Sequence, residues 1–172
     1  MGMVHAEARF ARNMTTLHLV TEIAAPVEQC FDLSLSVDLH VQSMRHTGER
    51  AVAGVTRGMM RLGDSVTWEA RHFGIKLRLK TAITEYQAAS RFVDEQLRGP
   101  FTHLRHVHEF TPISGGTRMV DDFAYSVPVG PIGALFDRLI LRRYMRQLLV
   151  ARNLEIKRVA ESAMLGQQIR GC

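Results

Sequence analysis

Cysteine is almost missing from this chain of 172 residues: only Cys30, among apolar neighbours, and Cys172 are present. Two such residues make no disulfide framework and no metal-ligand spacing, which leaves Cys30 as a small core residue. Long hydrophobic runs are missing as well. In "GPIGALFDRLILRRYM" a charge interrupts every few residues, and no stretch approaches the ~20 apolar residues that a membrane span needs. "MGMVHAEARFARN" has no apolar core of the secretory kind, so a soluble, cytoplasmic protein is expected. The glycines build no phosphate loop, because "GGT" reads as a hairpin and "VGPIG" opens a helix without the required spacing. There is no G-x-S-x-G elbow, and nucleophilic hydrolysis has no support. Repeats, linkers and low-complexity tracts are absent, which argues for a single domain.

What is present is an ordinary globular composition, 46% apolar, in a chain long enough for one domain with a sizeable core or an internal cavity. The formal charge is +5 with eight histidines counted neutral. Much of the excess lies in "DRLILRRYMRQLLVARNLEIKR", which carries Arg138, Arg142, Arg143, Arg146, Arg152, Lys157 and Arg158. Asp137 and Glu155 interrupt this stripe, and a solvated helix face accounts for it. A nucleic-acid, anionic-lipid or acidic partner is the weaker alternative.

"TTLHLVTEIA" alternates in polarity and reads as a strand, ended where Pro26 starts a new element. Val27, Cys30, Phe31, Leu35 and Leu39 then recur at helical spacing and predict one or two short helices. Six strands are expected at about 48–56, 64–73, 75–87, 91–98, 102–111 and 117–127, cut by Gly63-Asp64, Gly74, Gly99-Pro100 and Ser114-Gly115-Gly116. Loops this short imply antiparallel neighbours. From Ile132 the spacing through Leu135, Phe136, Leu139, Ile140, Tyr144, Leu148, Leu154 and Val159 predicts one long amphipathic helix to about Ala163. Residues 1–14 read as an extension and 166–172 as a tail around a domain at 15–165.

This element order, with "AAPVEQCFDL" after the first strand, resembles the START-like (SRPBCC) superfamily of helix-grip proteins. "GDSVTWEARHFG", "VDEQLRGPFTHLRHVHEF" and "GGTRMVDDFAYSVPVGPIG" are similar to its bacterial polyketide cyclase/dehydrase-like branch. The resemblance covers roughly residues 15–163. It implies an α+β fold in which a curved seven-stranded antiparallel sheet wraps a long C-terminal helix, with two short helices after the first strand. It implies no metal and no cofactor, and it does not name a ligand, because one such cavity serves many purposes.

Parity and turn geometry say which side chains share a face. With a two-residue turn at Ser114-Gly115, His108 faces Asp121, His106 faces Phe123 and Leu104 faces Tyr125. Across the Gly99-Pro100 loop, Asp94 comes beside His106 and Gln96 beside Leu104. The Phe73-Gly74 turn sets Trp68 against Leu79 and His72 against Ile75. Trp68, His72, Leu79, Phe92, Gln96, His106, His108, Asp121, Phe123 and Tyr125 are therefore the candidate ligand contacts. Arg71, Lys76, Arg78, Lys80, Arg105, Glu109, Arg118 and Asp122 take the opposite, solvated face.

"FTHLRHVHEF" holds the chemistry. His106–Asp94 and His108–Asp121 are expected as inward pairs, and four readings of them stay open. They are internal pairs that set strand register, polar contacts for a ligand in a greasy cavity, an acid/base set in which a carboxylate orients an imidazole, or, least favoured, metal ligands. Binding of a small hydrophobic or amphipathic molecule, such as a lipid, isoprenoid or polyketide, is the expected function. A cyclase or dehydrase using His106 or His108 with Asp94 or Asp121, and an RNA, ribosome or membrane contact through the basic helix, are the alternatives.

Overall fold

The computed structural model describes residues 14–128 and 130–170. The expected extension therefore lies outside the described residues except for Met14, and of the expected tail the backbone is helical to Arg170. Strand β1 (Thr15–Ile23) buries Leu17, Leu19 and Ile23 and leaves the alternate side to solvent. Pro26, in extended conformation, precedes helix α1 (Val27–Leu35), whose missing proline N–H is one the helix start does not need. Ser36 separates α1 from α2 (Val37–Ser43), and its hydroxyl accepts from Leu39 N at 3.2 Å as a cap.

Six further strands follow: β2 (Arg50–Gly54), β3 (Ser65–His72), β4 (Ile75–Gln87), β5 (Arg91–Arg98), β6 (His103–Ile113) and β7 (Gly116–Ser126). All seven pair antiparallel in the order β1-β7-β6-β5-β4-β3-β2. The expected pairings hold: His108 opposes Asp121, His106 opposes Phe123 and Asp94, Trp68 opposes Leu79, and His72 opposes Ile75. Register breaks at Ala51/Ala53, Lys80/Thr81 and Ile83/Glu85 bend the sheet around the C-terminal helix.

That helix differs from expectation. It starts as α3 (Gly130–Phe136), passes through a π-helical turn at Asp137–Leu141 and continues as α4 (Arg142–Arg170). Leu135, Leu139 and Leu154, expected on the buried face, are 58%, 65% and 58% exposed. Leu148 is buried as expected, and the buried stripe continues through Leu149, Arg152, Asn153, Ile156 and Ala160. A π turn holds more residues than an α turn, so a stripe counted at 3.6 through it drifts off the core side at Leu135 and Leu139, whereas Leu154, six residues past the buried Leu148, falls on the other side of the regular helix. Asp137 pins the turn to the sheet, with its carboxylate accepting from Tyr125 OH on β7 and Thr15 Oγ1 on β1.

Two apolar clusters flank the middle of the molecule. Phe31 stands edge-on to Phe92, Phe110 and Tyr86 near α1, and Leu17, Leu19, Leu104, Phe123, Tyr125 and Leu149 pack near the other end of the sheet. No described helix is long and apolar enough to cross a membrane.

Candidate ligand cavity

Between the concave sheet and α4 lies a cavity of about 800 Å³. The sheet lines it with Trp68, Leu79, Ile83, Phe92, Leu104 and Phe123, and the helix with Leu141, Met145, Leu148 and Leu149. Burying that many large side chains around a void forfeits their mutual contacts, a loss that an occupant would recover. Phe73, Ile75, Ile132, Phe136 and Ile140 line the cavity and are themselves exposed, so they mark its mouth.

A buried polar cluster interrupts the apolar wall deep in the cavity. His106 and His108 project inward from β6, Asp94 from β5 and Asp121 from β7, because residues two apart on a strand share a face. Their side chains bond diagonally rather than straight across. His106 Nε2 donates to Asp121 Oδ1 at 3.0 Å, and His108 Nε2 donates to Asp94 Oδ2 at 3.0 Å. His108 Nδ1 is 2.8 Å from Asp121 Oδ1 but too poorly aligned for a hydrogen bond, and His106 Nδ1 is 3.8 Å from Asp94 Oδ2. Diagonal neighbours on paired strands lie within reach of side chains this long. From α4, Asn153 Nδ2 donates to Asp121 Oδ2 at 2.7 Å, and Arg152 sits with Nη1 3.7 Å from Asp121 and Nη2 bonded to Ser34 O.

Electrostatics follow from burial. Desolvation, reinforced by the neighbouring His108, lowers the pKa of His106 to about 4, so at neutral pH its ring is neutral. Its one N–H then sits on Nε2, where Asp121 accepts it, and Nδ1 is left unprotonated. Burial would raise the Asp121 carboxyl, but the hydrogen bond from His106 and the close approach of the His108 ring outweigh it and hold Asp121 well below its ordinary value. In Asp94 the same opposition ends the same way, with the His108 hydrogen bond foremost among the influences that prevail over burial. Asp94 is the only one of the four with appreciable exposure, 21% of its side chain, and it lines the cavity.

The arrangement can orient a polar ligand atom, relay a proton between carboxylate and imidazole, or hold a cation. Asp94, His106 and His108 bring three ligand atoms within 4.8 Å of one another. Nearer the mouth a second polar spot pairs His72 Nδ1 with Tyr144 OH at 2.7 Å, and His40, bonded to Glu49 at 2.8 Å, stacks on Trp68.

The family model described as polyketide cyclase / dehydrase and lipid transport matches residues 14–161. The chain belongs to that family. No curated protein is significantly similar to it in sequence. Among solved structures, TTHA0849 of Thermus thermophilus is 19% identical with a TM-score of 0.66, over 83% of this chain and 97% of that one. The Zhui aromatase/cyclase of Streptomyces sp. R1128 is 13% identical with a TM-score of 0.70, over 86% and 94%. The di-domain aromatase/cyclase StfQ of steffimycin biosynthesis is 16% identical with a TM-score of 0.74; the match takes 93% of this chain and 55% of that one. Identities this low show the shared helix-grip fold.

In this member of the polyketide cyclase / dehydrase and lipid transport family, most of the sequence-selected residues meet at the cavity. Trp68, His72, Leu79, Phe92, His106, His108, Phe123 and Asp94 line it. Gln96, Asp121 and Tyr125 do not. The Gln96 amide bonds the backbone of Phe101, Asp121 is fully buried behind the imidazoles, and Tyr125 is committed to Asp137. Among the lining residues outside the sequence-selected contacts are the polar His40, Glu49, Tyr144 and Arg152. Arg152 belongs by sequence to the solvated basic stripe, yet it is 6% exposed. Its position four residues after Leu148 is the available signal, since that spacing shares a helix face.

Proposed function

We propose that the chain binds a small, mostly apolar molecule in this cavity and directs one oxygen-bearing end of it to His106, His108 and Asp94. The observation that carries the reading is a buried polar cluster set into a predominantly apolar wall around about 800 Å³, the pattern by which pockets combine affinity with orientation. The neutral His106 and the Arg152 Nη1 donor, which has no hydrogen-bond partner, leave the polar end open to either donor or acceptor groups. Lipid, isoprenoid and polyketide-like molecules share this chemistry. Trp68 is the only tryptophan and lines the cavity, so its fluorescence reports occupancy. A long-chain fatty acid is expected to perturb that emission, and Leu79→Phe, which adds bulk opposite Trp68 and no second tryptophan, is expected to weaken binding while the fold persists. Native mass spectrometry that finds no retained molecule, together with unresponsive Trp68 emission, would sink the reading.

An acid–base cyclase or dehydrase is the second reading, favoured by the place of His108 between two carboxylates. The burial that keeps His106 neutral also makes it a weak base near pH 7, which is why binding ranks first.

A further inference from the structure

Five large apolar residues of the mouth segment, Ile132, Leu135, Phe136, Leu139 and Ile140, are between 41% and 76% exposed. A helix normally turns such a stripe toward a core. Here the only side chain of the π turn that is buried is Asp137, anchored to Tyr125 and Thr15, so the anchor is polar and the apolar residues are left outside. The tip of the β3–β4 turn extends the surface: Phe73, 52% exposed, stands 5.8 Å from the Phe136 ring, and Ile75 beside it is 62% exposed.

Charge tells what covers this surface. Residues 130–146 hold four arginines, Arg138, Arg142, Arg143 and Arg146, and a single acidic residue, the buried Asp137. All four arginines are exposed, and none forms an ion pair with a described residue. The rest of the basic stripe is engaged internally, Arg152 in the cavity wall, Arg158 on Glu155, and Lys157 on Glu161 and the Glu22 carbonyl. Exposed apolar side chains beside unpaired arginines, with no exposed carboxylate between them, match a phospholipid interface, where the first enter the acyl boundary and the second meet anionic headgroups.

We propose that the α3–π-turn segment and the tip of the β3–β4 turn dock the protein on an anionic lipid surface with the cavity mouth facing the membrane. The proposal rests on the cavity being a binding site, since Ile132, Phe136 and Ile140 belong both to the mouth and to the exposed stripe. A ligand would then pass between bilayer and cavity without crossing water.

The test is vesicle co-sedimentation of the full chain on phosphatidylcholine vesicles with and without phosphatidylglycerol. Binding is expected on the anionic vesicles and is expected to weaken with salt. Leu135→Asp and Leu139→Asp lie outside the cavity lining and are exposed, so both should fold, as thermal melting would check, and each should weaken binding about tenfold or more. Arg138→Gln, Arg142→Gln and Arg143→Gln should each cost about fivefold on anionic vesicles and little on neutral ones. Equal binding to both vesicle types, or Asp variants that bind as the parent does, overturns the proposal. So does concentration-dependent dimerisation that the Asp variants abolish, which would make a second copy the occupant, or RNA binding that they leave intact. Trp68 emission with a soluble fatty acid, read in the same samples, separates the two ideas. Occupancy without vesicle binding defeats docking alone, and vesicle binding without occupancy defeats the cavity reading alone.

Discussion

Asp121 is the residue on which the polar cluster turns. It is fully buried, accepts from His106 and Asn153, and has His108 and Arg152 beside it. Removing its charge strands several donors at once. Asp121→Asn is expected to cost about 1–3 kcal/mol in denaturant unfolding, and His106→Phe combined with it should recover part of that loss. Strictly additive effects would mean that the two do not act as a pair. Acid should act on the same residues. The folded-state pKa of His106 is depressed from 6.5 to about 4, so the native state binds fewer protons than the unfolded chain between those values. Stability is therefore expected to fall as pH drops from 6.5 toward 4, by up to about 3 kcal/mol. Asp94 and Asp121, held below 3.8, add their own losses only at lower pH still. His106→Gln should flatten the first window and leave the second, and unfolding midpoints measured across the pH range would show it.

At the scale of elements, the C-terminal helix divides into two functional halves. Below the π turn, Leu148, Leu149, Ile156 and Ala160 close the core, and Leu148→Asp or Ile156→Asp should cost several kcal/mol by burying an unpaired charge. Above it, Leu139→Asp should change stability by less than about 1 kcal/mol, because the residue is already in solvent. Comparable melting losses for Leu139→Asp and Ile156→Asp would contradict this division. The β3–β4 turn carries a related tension, for Phe73 has φ 51° and Gly74 φ 78°. A non-glycine residue at positive φ is strained, and here the ring it carries packs on Phe136 and Tyr144 at the mouth. Phe73→Gly should relieve backbone strain while loosening that contact, leaving melting nearly unchanged and Trp68-reported binding weaker.

For the whole molecule, a cavity of about 800 Å³ beneath a single long helix means that stability and occupancy are linked. A molecule that binds only the folded state raises stability in proportion to the logarithm of its concentration over its dissociation constant. The melting temperature is therefore expected to climb with added fatty acid, and the increment should shrink in Leu79→Phe. A melting temperature indifferent to every apolar ligand that perturbs Trp68 would show that such ligands sit elsewhere.

The antiparallel pairing of strands joined by short turns, the inner face and the register across the Ser114-Gly115 and Phe73-Gly74 turns were legible in the amino-acid sequence, because a two-residue turn and a period of two leave one pairing that keeps apolar residues inside; the β1–β7 pairing was not, because no turn joins those strands. The juxtaposition of His106, His108, Asp94 and Asp121 was legible for the same reason. Tertiary structure alone decided the rest. Which histidine bonds which aspartate depends on how side chains lean between strands, and register says nothing about that. The π turn turns Leu135 and Leu139 outward, and helical periodicity carries no mark of an extra residue in a turn. Arg152 reads as surface by its type and becomes cavity wall because Ser34 and Asp121, far away in the chain, supply the partners that offset the free-energy cost of burying a guanidinium.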